Sequence, residues 1–412
     1  MKQLVLLGGG HAHVQVMADL ARQAHEKQTP GRPKCFSAPS GGLTRSGRSG
    51  GTLPGWDLHL LTPYSRQIYS GMLPGWVAGH YALDDCTIDL QALAQRAGIT
   101  LHQTAAVHVD TDGQRVHSAD GSTLPFDLLS IDTGPVAASA KLPGSAEFCL
   151  PIRPIEGFVA AWPGLAQRIQ AASSRFDLVV IGAGAAGLEL ALAIQYRAAV
   201  EGWQQLRLSL LGSGDLPLEG LPLAARRQAL RLLEQRGIRW LGDSRVEEVR
   251  RDHLCLRQLG QGNQQIIAAD TSLLVTGAAA PAWPARSGLS TDGGGYIQVG
   301  PTLQSLSHPH ILAAGDVAAY HSPRPKSGVY AVRAGPVLTA NLRALCAGRS
   351  PQAWQAQQRA LYLISHGGQQ ATAVWGNYTW SGVCSASWLW RWKDSIDRRF
   401  IQGFKSKSTT PP

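Results

Sequence analysis

The sequence predicts an α/β fold in which one strand–turn–helix unit is used twice. Three observations carry this reading. Leu4-Val5-Leu6-Leu7 runs into Gly8-Gly9-Gly10 and then a helix from about Ala12 to Lys27. Phe176 to Ile181 runs into Gly182-Ala183-Gly184-Ala185-Ala186-Gly187 and a helix from Leu188 to about Val200. Two more apolar runs end in Thr-Gly pairs, Thr133-Gly134 and Thr276-Gly277. Apolar strands of this length, alternating with helices, are what a parallel sheet covered on both faces requires.

The glycine spacing has a chemical reason. In a G-x-G-x-x-G turn the first glycine permits the tight bend. The second lets backbone approach a pyrophosphate, and the third lets helix and strand pack closely; the helix N-terminus then supplies partial positive charge. Gly182, Gly184 and Gly187 fill all three positions. The first copy has Gly8 and Gly10, but His13 stands third, where a side chain must be fitted between helix and strand. The returning strand of the first copy, Asp57 to Thr62, ends in Thr62, whose hydroxyl is a candidate for an adenosine ribose. That of the second, Leu206 to Leu211, ends in Gly212-Ser213. Neither end has the usual acidic residue, which removes the usual repulsion of a 2′-phosphate. No arginine follows that strand directly, so NADH and NADPH both stay open. Pro30 to Gly55 has no periodicity and is expected to be a mobile surface insertion.

Composition sets further bounds. With 44% hydrophobic and 16% charged residues, the chain is globular rather than disordered. The net charge of +10 comes largely from scattered arginines such as Arg226, Arg227 and Arg231, with no basic–aromatic interleaving before the last 25 residues. No nucleic-acid partner is expected; anionic cofactors or lipid headgroups suit the charge better. The six cysteines lie far apart without a C-x-x-C pair, which argues against a redox-active dithiol and against a metal site. The N-terminal apolar run is too short for a signal peptide, and no segment approaches a membrane span, so a cytoplasmic location is the expectation.

Taken in order, the two glycine turns, the two Thr-Gly strand ends and His310-Ile311-Leu312-Ala313-Ala314-Gly315-Asp316 resemble the pyridine nucleotide-disulfide oxidoreductase superfamily. The resemblance covers nearly the whole chain and is to the branch without a dithiol, like type II NADH dehydrogenases. It implies two Rossmann-like dinucleotide-binding domains, the second inserted in the first. FAD would be held by residues 1–150 and 284–347 and NAD(P)H by 151–283, with a small C-terminal module over 348–412. It implies that Gly315 and Asp316 hold the FAD ribitol and that the Thr-Gly turns approach the cofactor edges. Glu189 would lie near the nicotinamide–flavin junction. By position, Tyr69 to Gly75 and Lys326 to Val332 flank the isoalloxazine, with a helix starting near Val329 aimed at the flavin and Lys326 adding charge. His11 is assigned a packing or cofactor-edge role.

A narrower likeness is carried by Gly8 to Val14, Tyr69 to Gly75, Arg324 to Arg333, Trp392-Lys393-Asp394 and Ile396 to Phe400. These segments resemble the flavoprotein module fused ahead of selenophosphate synthetase (selenide, water dikinase). It implies a link to selenium metabolism with that synthetase as a partner, although no kinase domain follows here. Val329 to Arg333 lacks the amides of the type II quinone pattern, so the small-molecule electron acceptor is left unnamed. For the Trp/Arg-rich end three readings stay open: an amphipathic helix on a membrane surface, cover for the flavin face, and a homodimer interface.

Overall fold

The computed structural model describes residues 1–28, 53–137, 142–260, 262–381 and 383–405. The insertion expected over 30–55 therefore lies outside the described residues, apart from its end. There Leu53 is buried and the Gly55 carbonyl accepts the Lys2 N–H at 3.1 Å.

Two five-stranded parallel sheets organise the chain. The first runs Ile311–Ala313, Leu128–Ile131, Lys2–Leu7, Trp56–Leu61, Thr100–His102. The second runs Cys149–Pro151, Thr271–Leu274, Phe176–Ile181, Leu206–Leu211, Arg239–Leu241. In both, the chain leaves the central strand, builds outward on one side, then returns to pair on the other. The crevice at that reversal is where an open parallel sheet binds ligands. Each glycine turn follows its central strand and so sits at that point.

The central strands are apolar because both faces are covered. Leu4, Leu6, Leu58 and Leu60 pack under the helix His11–Gln28, and Val5, Leu7, Leu129 and Ile131 face a second cluster with Trp283, Ile297 and Ile311. Leu178 and Val180 likewise pack with Leu190, Ile194 and Leu208 under the helix Ala185–Glu201. Each such leucine withdrawn from water contributes about 1.5–3 kcal/mol. Against each sheet lies a three-stranded antiparallel meander, Ala106–Pro125 and Ser244–Ala268.

Beyond its Thr-Gly turn, each sheet sends out a short strand. Val136–Ala137 pairs antiparallel with Ala278–Ala279, so a two-stranded ribbon ties the halves together. The C-terminal hairpin strands Leu361–Ser365, Ala371–Trp375 and Tyr378–Trp380 carry the helix Val383–Gln402 through Ala371, Ala373, Leu389 and Trp390. This module is wedged into the molecule. A Cβ on Gly367 would lie 2.0 Å from the Leu192 carbonyl, and His80 Nε2 lies 2.7 Å from the Gly367 carbonyl.

Candidate active site

The two glycine turns are built alike. Gly8 and Gly182 have φ of +94° and +115°, where L side chains are strained. A Cβ on Gly8 would lie 2.5 Å from the Asp132 carbonyl, and one on Gly182 would lie 2.8 Å from the Thr276 amide. Each turn is thus pressed against the Thr-Gly end of the neighbouring strand. Around Gly184, Gly134 and Gly277 an added Cβ would meet nothing within 4 Å, so backbone there is open to a ligand. Gly187 is the close-packing position: its Cβ would fall 1.8 Å from the Gly182 carbonyl.

His13 solves the same packing problem differently. Its ring is fully buried, with Nδ1 2.6 Å from the Gly8 carbonyl and Nε2 2.8 Å from Ser130 Oγ. A neutral ring protonated on Nδ1 donates to Gly8 and accepts from Ser130. Burial lowers its pKa to about 4, so it stays neutral. Thr62 is also buried, its hydroxyl 3.6 Å from the Cβ position of Gly9. At the end of the corresponding strand in the second half, the fold supplies what the linear order hid. Arg226, from the helix Leu223–Gln235, pairs with Asp215 at 2.5 Å in the loop after Leu206–Leu211. An arginine from a distant helix thus reaches the loop beyond that strand end, and the choice between NADH and NADPH stays open.

Two polar groups surround the remaining site residues. In one, Gly315 has φ +71° and donates its N–H to Tyr320 Oη at 2.8 Å, and Asp316 faces Arg153 at 3.8 Å. Burial raises the Asp316 carboxyl, with Arg153 and Lys326 offsetting it. Lys326 is held by the Ala318 carbonyl and lies 3.9 Å from the Tyr296 ring centre, not out in solvent. The long helix Gly328–Cys346 starts one residue before Val329. A Cβ on Gly328 would be 3.7 Å from Ser70 Oγ, so the two segments expected to flank a flavin do adjoin.

The second group joins Glu189 to the C-terminal module. The Glu189 carboxylate accepts the Ser365 N–H at 2.8 Å. Burial raises its pKa and Lys393 partly offsets this, so it keeps its proton at higher pH than an ordinary glutamate. Lys393 Nζ donates to the Gly71 carbonyl at 2.6 Å and pairs with Asp397 at 2.7 Å, while Tyr69 Oη donates to Asp397 at 3.2 Å. His11 lies against these residues, its ring 5.5 Å from Tyr69 and 6.1 Å from Phe400. Its Nδ1 accepts from Gln67 at 3.1 Å, and its buried Nε2 has no partner among the described residues. Burial and then Arg153 lower the ring to about 4, which leaves it neutral and suits packing better than acid–base work.

Lys393 and Asp397 were read from the sequence only as parts of a motif, without a role, and Asp132 and Arg153 were given none either. The Lys393/Asp397 spacing of four along a tryptophan-rich helix was the available signal. Arg153 comes from a distant segment and offers none. Among the described residues, no three His, Cys, Asp or Glu side chains gather as metal ligands.

Two glycine turns at two sheet reversals, joined at their Thr-Gly ends, define a protein with a pair of dinucleotide sites. Residues 2–335 match the pyridine nucleotide-disulphide oxidoreductase family, and the chain belongs to that family. It is 28% identical over 249 residues to an NADH dehydrogenase-like protein of Mycobacterium tuberculosis, covering 58% of this chain and 60% of that one. It is 26% identical over 231 residues to demethylphylloquinone reductase of Synechocystis, covering 55% of each. The chain thus spans 55–60% of the length of these relatives. Sulfide:quinone oxidoreductase from Aquifex aeolicus superposes with a TM-score of 0.76 at 17% identity, over 99% of this chain and 93% of that one. NDH2 from Plasmodium falciparum, solved with NADH, gives 0.78 at 11% identity, over 100% and 99%. At those identities the likeness is one of fold.

FAD and a pyridine nucleotide are the cofactors of this family. The residues fit them: tight positive-φ turns at Gly8 and Gly182, open backbone at Gly134, Gly184 and Gly277, and the His11 Nε2 without a partner among the described residues.

Proposed function

We propose that the chain is an FAD-dependent oxidoreductase that takes hydride from NADH or NADPH and delivers electrons to a small-molecule acceptor. The supporting observation is the ribbon Val136–Ala137/Ala278–Ala279, which fixes the open Thr-Gly end of each dinucleotide site beside the other. When bound, FAD supplies the two-electron chemistry. In this reading Gly8, Gly10 and Thr62 take its adenosine diphosphate and Thr133, Gly134, Gly315 and Asp316 its ribityl and flavin parts. Gly182, Gly184, Gly187, Thr276 and Gly277 take the nicotinamide dinucleotide. The start of the helix Gly328–Cys346 points partial positive charge at an anionic edge, with Lys326 nearby. Glu189 lies at the module side of the site, where burial raises its carboxyl and Lys393 partly offsets this.

Anaerobic titration with NADH and, separately, NADPH checks this. Prompt loss of the flavin band at about 450 nm, a property of the cofactor, is the expected result, and the faster donor is the physiological one. A yellow protein that neither nucleotide bleaches overturns the reading.

The cysteines bear on a sulfide:quinone-type alternative. Cys149 packs with Leu142 and Phe148, and Cys346 packs in the first-domain core. Burial raises both thiols to about 12, so neither supplies a thiolate near neutrality. Cys149→Ser and Cys346→Ser are expected to bleach at the wild-type rate; loss of reduction in either would restore that alternative.

The reading extends to location. No helix among the described residues is long and apolar enough to cross a membrane. Trp388 (60% exposed), Trp392 (39%) and Ile396 (41%) form an outward stripe with Arg391 and Arg399, and Trp388 stacks on Trp392 at 5.6 Å. Such a face suits the headgroup layer of an anionic bilayer on the cytoplasmic side, where each basic residue adds about 1 kcal/mol. Cosedimentation with anionic vesicles, reduced several-fold by Trp388→Ser/Trp392→Ser and by salt, is expected. A doubled mass in solution without vesicle binding would make the stripe a homodimer interface instead. The link to a separately encoded selenophosphate synthetase rests on the sequence segments that resemble its fused flavoprotein module.

A further inference from the structure

Laid turn on turn, the two halves differ by three linked replacements. His13 stands where the second half has Gly187, Ser130 where it has Leu273, and Asp132 where it has Val275. In the second half the helix Ala185–Glu201 has no side-chain cap, and Val275 packs on apolar neighbours. In the first half the matching position is a carboxylate only 2% exposed. One of its oxygens accepts the N–H groups of Ala12 at 2.8 Å and His13 at 3.1 Å. A Cβ on Gly10 would lie 2.3 Å from the Asp132 carboxyl carbon, and one on Gly315 would lie 2.3 Å from its Oδ1. Both glycines therefore make room for this carboxyl.

A helix N-terminus offers a limited number of free amides and one end of a dipole. In the second half that end is left to the nucleotide; in the first it already serves an internal anion. Two phosphates arriving at the same end would face a carboxylate across a dry turn, where like charges interact strongly.

We propose that Asp132 is a positioning residue of the FAD site: it caps the first helix from inside, shares that helix end with the cofactor's pyrophosphate, and takes up a proton from solvent when FAD binds. The inference rests on the reading that the first turn holds FAD.

The groups facing Asp132 support a proton at that place. From the helix side come the backbone N–H groups of Ala12 and His13, and the neutral His13 ring lies beyond them on Ser130 Oγ. From the Gly315–Val317 turn comes Asp316, with Arg153 and Lys326 acting on it, and beyond lies the Tyr320 phenol. No cation among the described residues pairs with Asp132 directly. Burial raises its carboxyl to about 7, against the lowering effect of the His13 and Ala12 amides, with Asp316 raising it further. A bound pyrophosphate raises it again. A group whose pKa is higher in the complex contributes affinity that is complete below the free value, here about 7, and lost as pH rises through the bound value.

The test is FAD binding to the apoprotein, followed by flavin fluorescence from pH 6 to 8.5, with calorimetry in two buffers of different ionisation enthalpy. The wild-type Kd is expected to weaken about tenfold across that range, with about half a proton taken up near pH 7.5. Asp132→Asn keeps the amide cap and should bind FAD with a flat pH profile, whereas Asp112→Asn, at an exposed turn of the first meander, should retain the slope. A flat wild-type profile with no proton uptake overturns the inference, and this needs no variant to fold. Apoprotein that binds no FAD at any pH overturns both the inference and the reading beneath it.

Discussion

Gly187→Ala is expected to give a yellow protein that reduced nicotinamide dinucleotides no longer bleach at a useful rate. The added methyl would sit 1.8 Å from the Gly182 carbonyl, well inside any tolerated contact. The atom it would strike is backbone and cannot rotate away, so the helix Ala185–Glu201 must move off the strand Phe176–Ile181. Displacing a positioning element by about 1 Å can cost on the order of a hundredfold in rate, and a loss of that size in kcat/KM for the better donor is expected. The first turn is untouched, so the flavin band should remain at full occupancy. Stopped-flow reduction of the FAD-loaded variant measures this directly. Near-normal reduction would show that the second turn does not position the donor.

The second large effect is expected at the buried pair Lys393–Asp397. Burial alone would lower the Lys393 ammonium, but Asp397, Glu189 and Asp394 together hold it above the ordinary lysine value. Removing one member of a buried pair leaves the other charge uncompensated, which costs about 3–5 kcal/mol, whereas replacing both with apolar groups is often near neutral. Lys393→Met should therefore lose about that much stability in urea unfolding. It should also release the Gly71 carbonyl and the turn beside the flavin segment. Lys393→Met/Asp397→Leu should recover most of the loss. A single variant within 1 kcal/mol of wild type, on the scale expected for an exposed pair, would show that the pair is not buried in solution.

The parallel sheets were legible because their signal is local. An apolar strand, a glycine at the reversal and a helix all lie within about thirty residues, and the observed strands Lys2–Leu7 and Phe176–Ile181 lie where those runs are. The helices start a few residues earlier than the apolar pattern does: His11 rather than Ala12, and Ala185 rather than Leu188. Their first turns face the ligand crevice and need no hydrophobic stripe. What stayed hidden depends on segments far apart in the chain. Asp132 reads as one more residue before a Thr-Gly pair until the fold sets it on the amides of Ala12 and His13. Arg226 reads as a solvated helix arginine until its helix is laid beside Asp215. The third-position histidine was visible as an oddity, but its partner Ser130 lies 117 residues away and only tertiary structure pairs them.

The ribbon between Val136–Ala137 and Ala278–Ala279 has a mechanical consequence. Two lobes joined by single flexible tethers can swing apart to admit and release their ligands. Here the two crossings of the chain are zipped to each other by main-chain bonds, so a rotation of one lobe drags the strand that anchors the other. A nucleotide exchanging at either site is then expected to do so without a wide opening of the two halves. The spacing across which electrons must pass is held by backbone rather than by the occupant.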